Sequence, residues 1–139
     1  MSGEYQLAWV GSVAIMTLPA EIDLANAEQV REDLLSAVAQ GASQVIADMT
    51  ATTFCDSAGI TALVRVVRQA TAHGSGLRLA ASAPTVTRVL ALTGIDRLIG
   101  VYPSVAAALA GAGGDAAVAE PAPSAPGQAG PAGRAPLPG

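Results

Sequence analysis

Three short β-prone runs, "SQVIADM", "LRLAAS" and "LIGVY", each lead into a stretch that reads as a helix. That alternation narrows the architecture more than any other feature of the chain. Strands that alternate with helices lie in one sheet, and helices pack over it. The near-continuous apolar centre of "SQVIADM" suits a strand buried on both faces. Upstream, "YQLAWV" and "SVAIMTL" are separated by Gly11-Ser12 and read as a hairpin. The predicted order is ββαβαβαβα. This is an α/β fold with a mixed, mostly parallel sheet, an N-terminal hairpin and helices packed on the sheet.

The helical stretches carry their own punctuation. "LANAEQVREDLLSAVAQG" puts Val30, Leu34, Ala37 and Val38 on one face and Arg31, Glu32 and Asp33 elsewhere, and Gly41 is a natural stop. The second helix, opening after Asp56, is expected to bury Ile60, Leu63, Val64 and Val67, to leave Arg65 and Arg68 outside, and to end near His73-Gly74. In "PTVTRVLALTG", Pro84 suits a first turn and Gly94 an end. The last helix, "PSVAAALAGAG", fades at about Gly111 into a segment that is nearly all Ala, Gly and Pro. Such a segment buries too little surface to offset its ordering entropy. One domain over residues 1–110 and a disordered Ala/Gly/Pro-rich tail over 111–139 are expected.

Charge narrows the partners. Eleven acidic residues face seven basic ones, and every basic residue is Arg. Arg31, Arg65, Arg68, Arg78, Arg88 and Arg97 are scattered and form no stripe, so nucleic acid is not an expected partner. The chain has no polybasic patch for an anionic membrane and no apolar run of about 18 residues that would span one. "MSGEYQLAWV" lacks the basic region and long apolar block of a signal peptide. Cys55 is the single cysteine, so an internal disulfide is excluded, which fits a reducing cytoplasm. A cytoplasmic location is the expectation, with no cofactor and no metal.

Two stretches carry candidate chemistry. In "TFCDSAGITAL", Asp56-Ser57 sits where a strand and its loop give way to a helix. One reading makes Asp56 or Ser57 an N-cap. The other presents Ser57 for modification. Helix-start N–H groups form an anion site, so a phosphate there is compatible with the fold. That phosphate would add about −1.5 to −2 charge beside Asp56 and disrupt a partner surface built there. Gly59 allows close backbone approach in the first turn. In "LPAEIDLANA", Glu21 and Asp23 read as loop carboxylates, or Asp23 as part of a cap. A carboxylate cluster of Glu21, Asp23 and Asp56 holding a metal is a further alternative. Cys55 is expected as a small core residue, Phe54 as buried beside it, and Trp9 as packed on the hairpin. His73 is expected at a helix end, about 24 Å from Ser57 along one helix, which argues against a Ser/His/Asp triad.

Taken together, "EIDLANA" and, about thirty residues later, "VIADMTATTFCDSAGITAL" resemble the STAS domain family, and most of all its bacterial anti-sigma factor antagonists. The resemblance spans about residues 4 to 110. It rests on Glu21-Ile22-Asp23, on the strand ending at Asp48 and on Asp56-Ser57-Ala58-Gly59, and "RVLALTGIDRLIGVYPSVAAAL" resembles the family's closing segment. The resemblance implies a regulator, not an enzyme. It implies binding to an anti-sigma factor that is also a serine kinase, which frees a sigma factor. It implies phosphorylation of Ser57 that dissolves the complex, and a PP2C-type phosphatase that restores it. Asp23 and Asp56 match acidic positions beside the family's serine. The implied partner face comprises Glu21, Asp23, Phe54, Asp56, Ser57, Ala58 and Gly59. Two departures stand out: Pro19-Ala20 where the family often has Gly, and Ala58 where many relatives carry Ser or Thr. The second leaves Ser57 as the motif's only hydroxyl, with Thr50, Thr52, Thr53 and Thr61 as nearby alternatives. Within the same family, an accessory subunit of a lipid-transport ABC complex, with Ser57 unphosphorylated, is the alternative function.

Overall fold

The computed structural model describes residues 6–114. β1 (Gln6–Val10) and β2 (Val13–Thr17) form the antiparallel hairpin, and Gly11 at φ 59° supplies the turn that a bulkier residue resists. After β3 (Glu21–Ile22) comes α1 (Ala27–Ala39), then β4 (Gln44–Met49) and β5 (Phe54–Cys55). α2 (Ser57–Ala72), β6 (Gly76–Ala81), α3 (Pro84–Leu92), a 3-10 turn at Ile95–Arg97, β7 (Gly100–Tyr102) and α4 (Val105–Gly114) complete the order. The tail expected from residue 111 lies outside the described residues from 115 onward.

The main sheet runs β1-β2-β4-β6-β7. Every pairing after the hairpin is parallel, so the sheet is mixed and mostly parallel, as the alternation predicts. β4 is its centre: Val45, Ile46 and Ala47 are fully buried, as expected for a strand covered on both faces.

Side chains alternate across the sheet. Ala14, Met16, Val45, Ala47, Met49, Leu77, Leu79 and Ala81 face the main core, which Val30 and Leu34 of α1, Leu63 and Val66 of α2 and Val86 and Leu90 of α3 close. Ile46 and Ala80 face the other side and pack with Ala108 of α4. Pro84 opens α3 as expected, and Gly94, at φ 79°, turns the chain out of it.

Two expectations are corrected. The buried seam of α2 is Gly59, Ala62, Leu63, Val66 and Ala70, while Ile60, Val64 and Val67 only flank it. Three of the five seam residues are Gly or Ala, so the apolar stripe read from large side chains is out of phase by one position. Phe54, expected inside, is 49% exposed. It alternates with buried Cys55 on β5, and only one of the two can face the core. Trp9 stands opposite Ala14 on the hairpin and is 41% exposed at the sheet edge.

Candidate functional site

β3 and β5 form a second sheet of two short parallel strands, with Glu21 opposite Phe54 and Ile22 opposite Cys55. Glu21, read from sequence as a loop residue, is therefore on a strand. The ladder continues past its last pair, because the N–H of Asp56 donates to the carbonyl of Ile22 at 3.1 Å. Below it, Thr53 N–H donates to the Ala20 carbonyl at 2.8 Å, and the Thr52 hydroxyl donates to the Pro19 carbonyl at 2.8 Å. Thr52 is fully buried. The Pro19-Ala20 segment is thus bonded to the 52–56 segment along its length, and the two candidate stretches are one structural unit.

Both strands run in the same direction, so Asp23 and Asp56 leave it at adjacent positions. Each acid is held. Asp56 is extended (φ −93°, ψ −172°), and its Oδ1 accepts from the N–H groups of Ala58 at 2.9 Å and Gly59 at 3.2 Å. It is the N-cap of α2, so that reading of Asp56 holds. Asp23 Oδ1 accepts from Ala25 N–H at 3.0 Å. Asn26, which sequence reasoning missed, fixes the loop: its Oδ1 accepts from Asp23 N–H at 3.0 Å and its Nδ2 donates to the Glu21 carbonyl at 2.8 Å. An Asn before a helix signals a cap, yet this one bonds backward instead, and only the fold reveals that.

Ser57 is the first residue of α2 and is exposed. Because Asp56 supplies the cap, no described residue engages the Ser57 hydroxyl. The neighbouring threonines differ. Thr50 Oγ1 donates to Asp48 Oδ1 at 2.6 Å, Thr52 is buried and bonded, and Thr53 Oγ1 reaches the Ala20 carbonyl at 3.4 Å. Thr61 is exposed in the second turn of α2, away from the cap. Among the described residues, Ser57 alone combines exposure, a hydroxyl with no hydrogen-bond partner and a place at a helix start.

Gly59 is buried because the first turn of α2 rests on the small sheet. A Cβ there would stand 2.6 Å from Cys55 Sγ and 2.8 Å from Ile22 Cγ2. Burial, and secondarily the Asp56 charge, pushes the Cys55 thiol up to about 11, which makes it an inert core residue. Ala58 is half-buried beside the exposed Phe54 and Ser57. The Thr85 hydroxyl donates to the Thr53 carbonyl at 2.8 Å, tying α3 to the same unit. Pro84, Thr85 and Arg88 line an open hollow of about 330 Å³ there, which holds none of the candidate residues.

Glu21, Asp23 and Asp56 do not form a metal centre: among the described residues no group of three or more His, Cys, Asp or Glu side chains could hold an ion. His73 caps the far end of α2, its Nδ1 at 2.8 Å from the Gln69 carbonyl oxygen, and does not approach Ser57. No helix among the described residues is long and apolar enough to cross a membrane.

A family model described as the STAS domain matches residues 5–108. An anti-sigma factor antagonist from Mycobacterium paratuberculosis is 24% identical, with a TM-score of 0.70 over 76% of this chain and 90% of that one. SpoIIAA, an anti-sigma factor antagonist solved in its unphosphorylated form, is 25% identical, with a TM-score of 0.66 over 79% of this chain and 96% of that one. Its phosphorylated form, described as a Bacillus cell fate determinant, aligns with a TM-score of 0.58 at 24% identity over 76% and 96%. A sulfate transporter family protein from Wolinella succinogenes is 19% identical, with a TM-score of 0.67 over 76% and 88%.

Proposed function

The chain belongs to the STAS domain family, and from that premise we propose that it is an anti-sigma factor antagonist switched by phosphorylation of Ser57. In this reading it binds an anti-sigma factor that is also a serine kinase, and binding releases a sigma factor. The partner face is the surface built from Glu21, Asp23, Phe54, Asp56, Ser57, Ala58 and Gly59. The observation that carries the proposal is the exposed, unengaged hydroxyl of Ser57 at a helix start whose cap is supplied by its neighbour.

The chemistry follows from that placement. The kinase transfers a phosphoryl group from its nucleotide to Ser57 Oγ, the hydroxyl proton leaves, and the nucleoside diphosphate departs. The helix start tolerates the new charge. The partner surface does not, because a dianion joins Asp56 and Asp23 where a protein must dock. The fold survives and the complex dissolves. Hydrolysis by a PP2C-type phosphatase resets the switch, and the chain itself contributes no catalytic step.

Phosphosite mapping on protein from its native cells, with Ser57→Ala as control, tests this. Phosphate at Ser57 that vanishes in the variant is the expected result. An unmodified Ser57 through growth, starvation and stress overturns it. The accessory-subunit reading, in a lipid-transport ABC complex, would then take its place.

A further inference from the structure

β1 is an edge strand of the main sheet, and no other described strand pairs with its outer side. Edge strands are commonly blunted by charge, proline, a bulge or shortness. β7, at the other edge, is three residues long. β1 has none of these protections. It is five residues long, reads QLAWV, and exposes Leu7 at 37%, Trp9 at 41% and Val10 at 52%.

We propose that β1 pairs antiparallel with β1 of a second copy of this chain, about a two-fold axis at Ala8. The register follows from hairpin geometry. A two-residue turn is closed by a hydrogen-bonded pair, here Val10 with Val13, so Val10, Ala8 and Gln6 direct their backbone groups toward β2. Leu7 and Trp9 direct theirs outward. An axis at Ala8 sets Leu7 opposite Trp9 of the second copy, and the reverse. The two outward-bonding residues of each strand then meet their counterparts and satisfy four hydrogen bonds.

The side chains suit the same register. Leu7 and Trp9 lie on the face of their partners Met16 and Ala14, which is the face of the main core. Across the axis they form two aromatic–aliphatic cross-strand pairs of the kind that stabilise sheets. Ala8 meets Ala8 at the closest, non-hydrogen-bonded position, where a small side chain is required. Charge does not oppose a second copy at this edge. The chain carries a net charge of −4, so two copies repel over most approaches, but no residue from Gln6 to Ala20 is charged. None of the acids around Ser57 lies on β1, so pairing is independent of the switch proposed above.

The test is sedimentation of the full chain over a wide concentration range. Mass should rise from one chain to two, and emission from the single Trp9 should move to shorter wavelength in step. Ala8→Lys places two like charges face to face and should weaken association about fivefold or more. Ala8→Glu should do the same, and an equimolar mixture of the two variants should restore dimers. A wild-type chain that stays monomeric throughout overturns the proposal and leaves the edge to some other strand. Dimers that ignore both substitutions, or a mixture that fails to recover, overturn this interface.

Discussion

The N–H of Asp56 and the carbonyl of Ile22, 3.1 Å apart, join two segments that lie more than thirty residues apart in the chain. One atom group away, the Asp56 carboxylate caps α2. The same residue therefore fastens the small sheet and starts the helix that presents Ser57. The cap is separable by substitution. Asp56→Ala should cost about 1 kcal/mol and Asp56→Asn only a few tenths, measured by urea unfolding.

Gly59 is where the helix touches that sheet. Gly→Ala in a helix ordinarily gains up to about 1 kcal/mol. Here the added methyl meets Ile22 and Cys55 at distances that force a shift, and overpacking costs about 1–3 kcal/mol. Gly59→Ala should be net destabilising, by about 1 kcal/mol or more, and should lower the melting temperature rather than raise it.

Thr52 holds the Pro19 carbonyl from inside the protein. Thr52→Val keeps the shape but leaves that carbonyl unpaired, at a cost of about 1–3 kcal/mol. Thr53→Val, at a long and exposed contact, should cost under about 0.5 kcal/mol. Equal losses in thermal melts of the two variants would contradict this account.

Ser57 has no structural bond to lose. Ser57→Glu sets a favourable helix-start charge against repulsion from Asp56, and the two nearly cancel. Its melting temperature should stay within about 4 °C of wild type. A larger fall would mean that phosphorylation unfolds the domain instead of blocking its surface.

Cys55 gives a pH signature. Its thiol is raised from its usual value of 9.0 to about 11 by burial and then by Asp56. The unfolded chain loses this proton first as pH rises. The stabilisation is therefore complete below about pH 9 and is lost as pH climbs through about 11. Cys55→Ala should flatten that part of the stability–pH curve relative to wild type.

Much of the fold was legible in the sequence because the long elements carry a period. The buried face of α1 follows from spacing, the hairpin from its Gly11-Ser12 turn and the centre of β4 from its near-continuous apolar run. β3 and β5 escaped because two residues have no period, and each strand's partner is distant in the chain. Phe54 was misplaced for the same reason: without β5 there is no alternation to send it outward. The α2 seam was misphased because Gly59 and Ala62 mark close approach by what they lack. The cap at Asp56 was readable from residue type and position. The backward bonds of Asn26 were not, since they depend on where Glu21 ends up.

The bonds between 19–22 and 52–56 also set an order in time. Residues 19–22 leave the ribosome long before the partners they need, and loop closure over this separation must precede any reward from contact. Nascent chain shorter than about sixty residues carries the acids but not the surface. A chain becomes competent to bind, or to be modified at Ser57 in its native setting, only once synthesis has passed the first turn of α2.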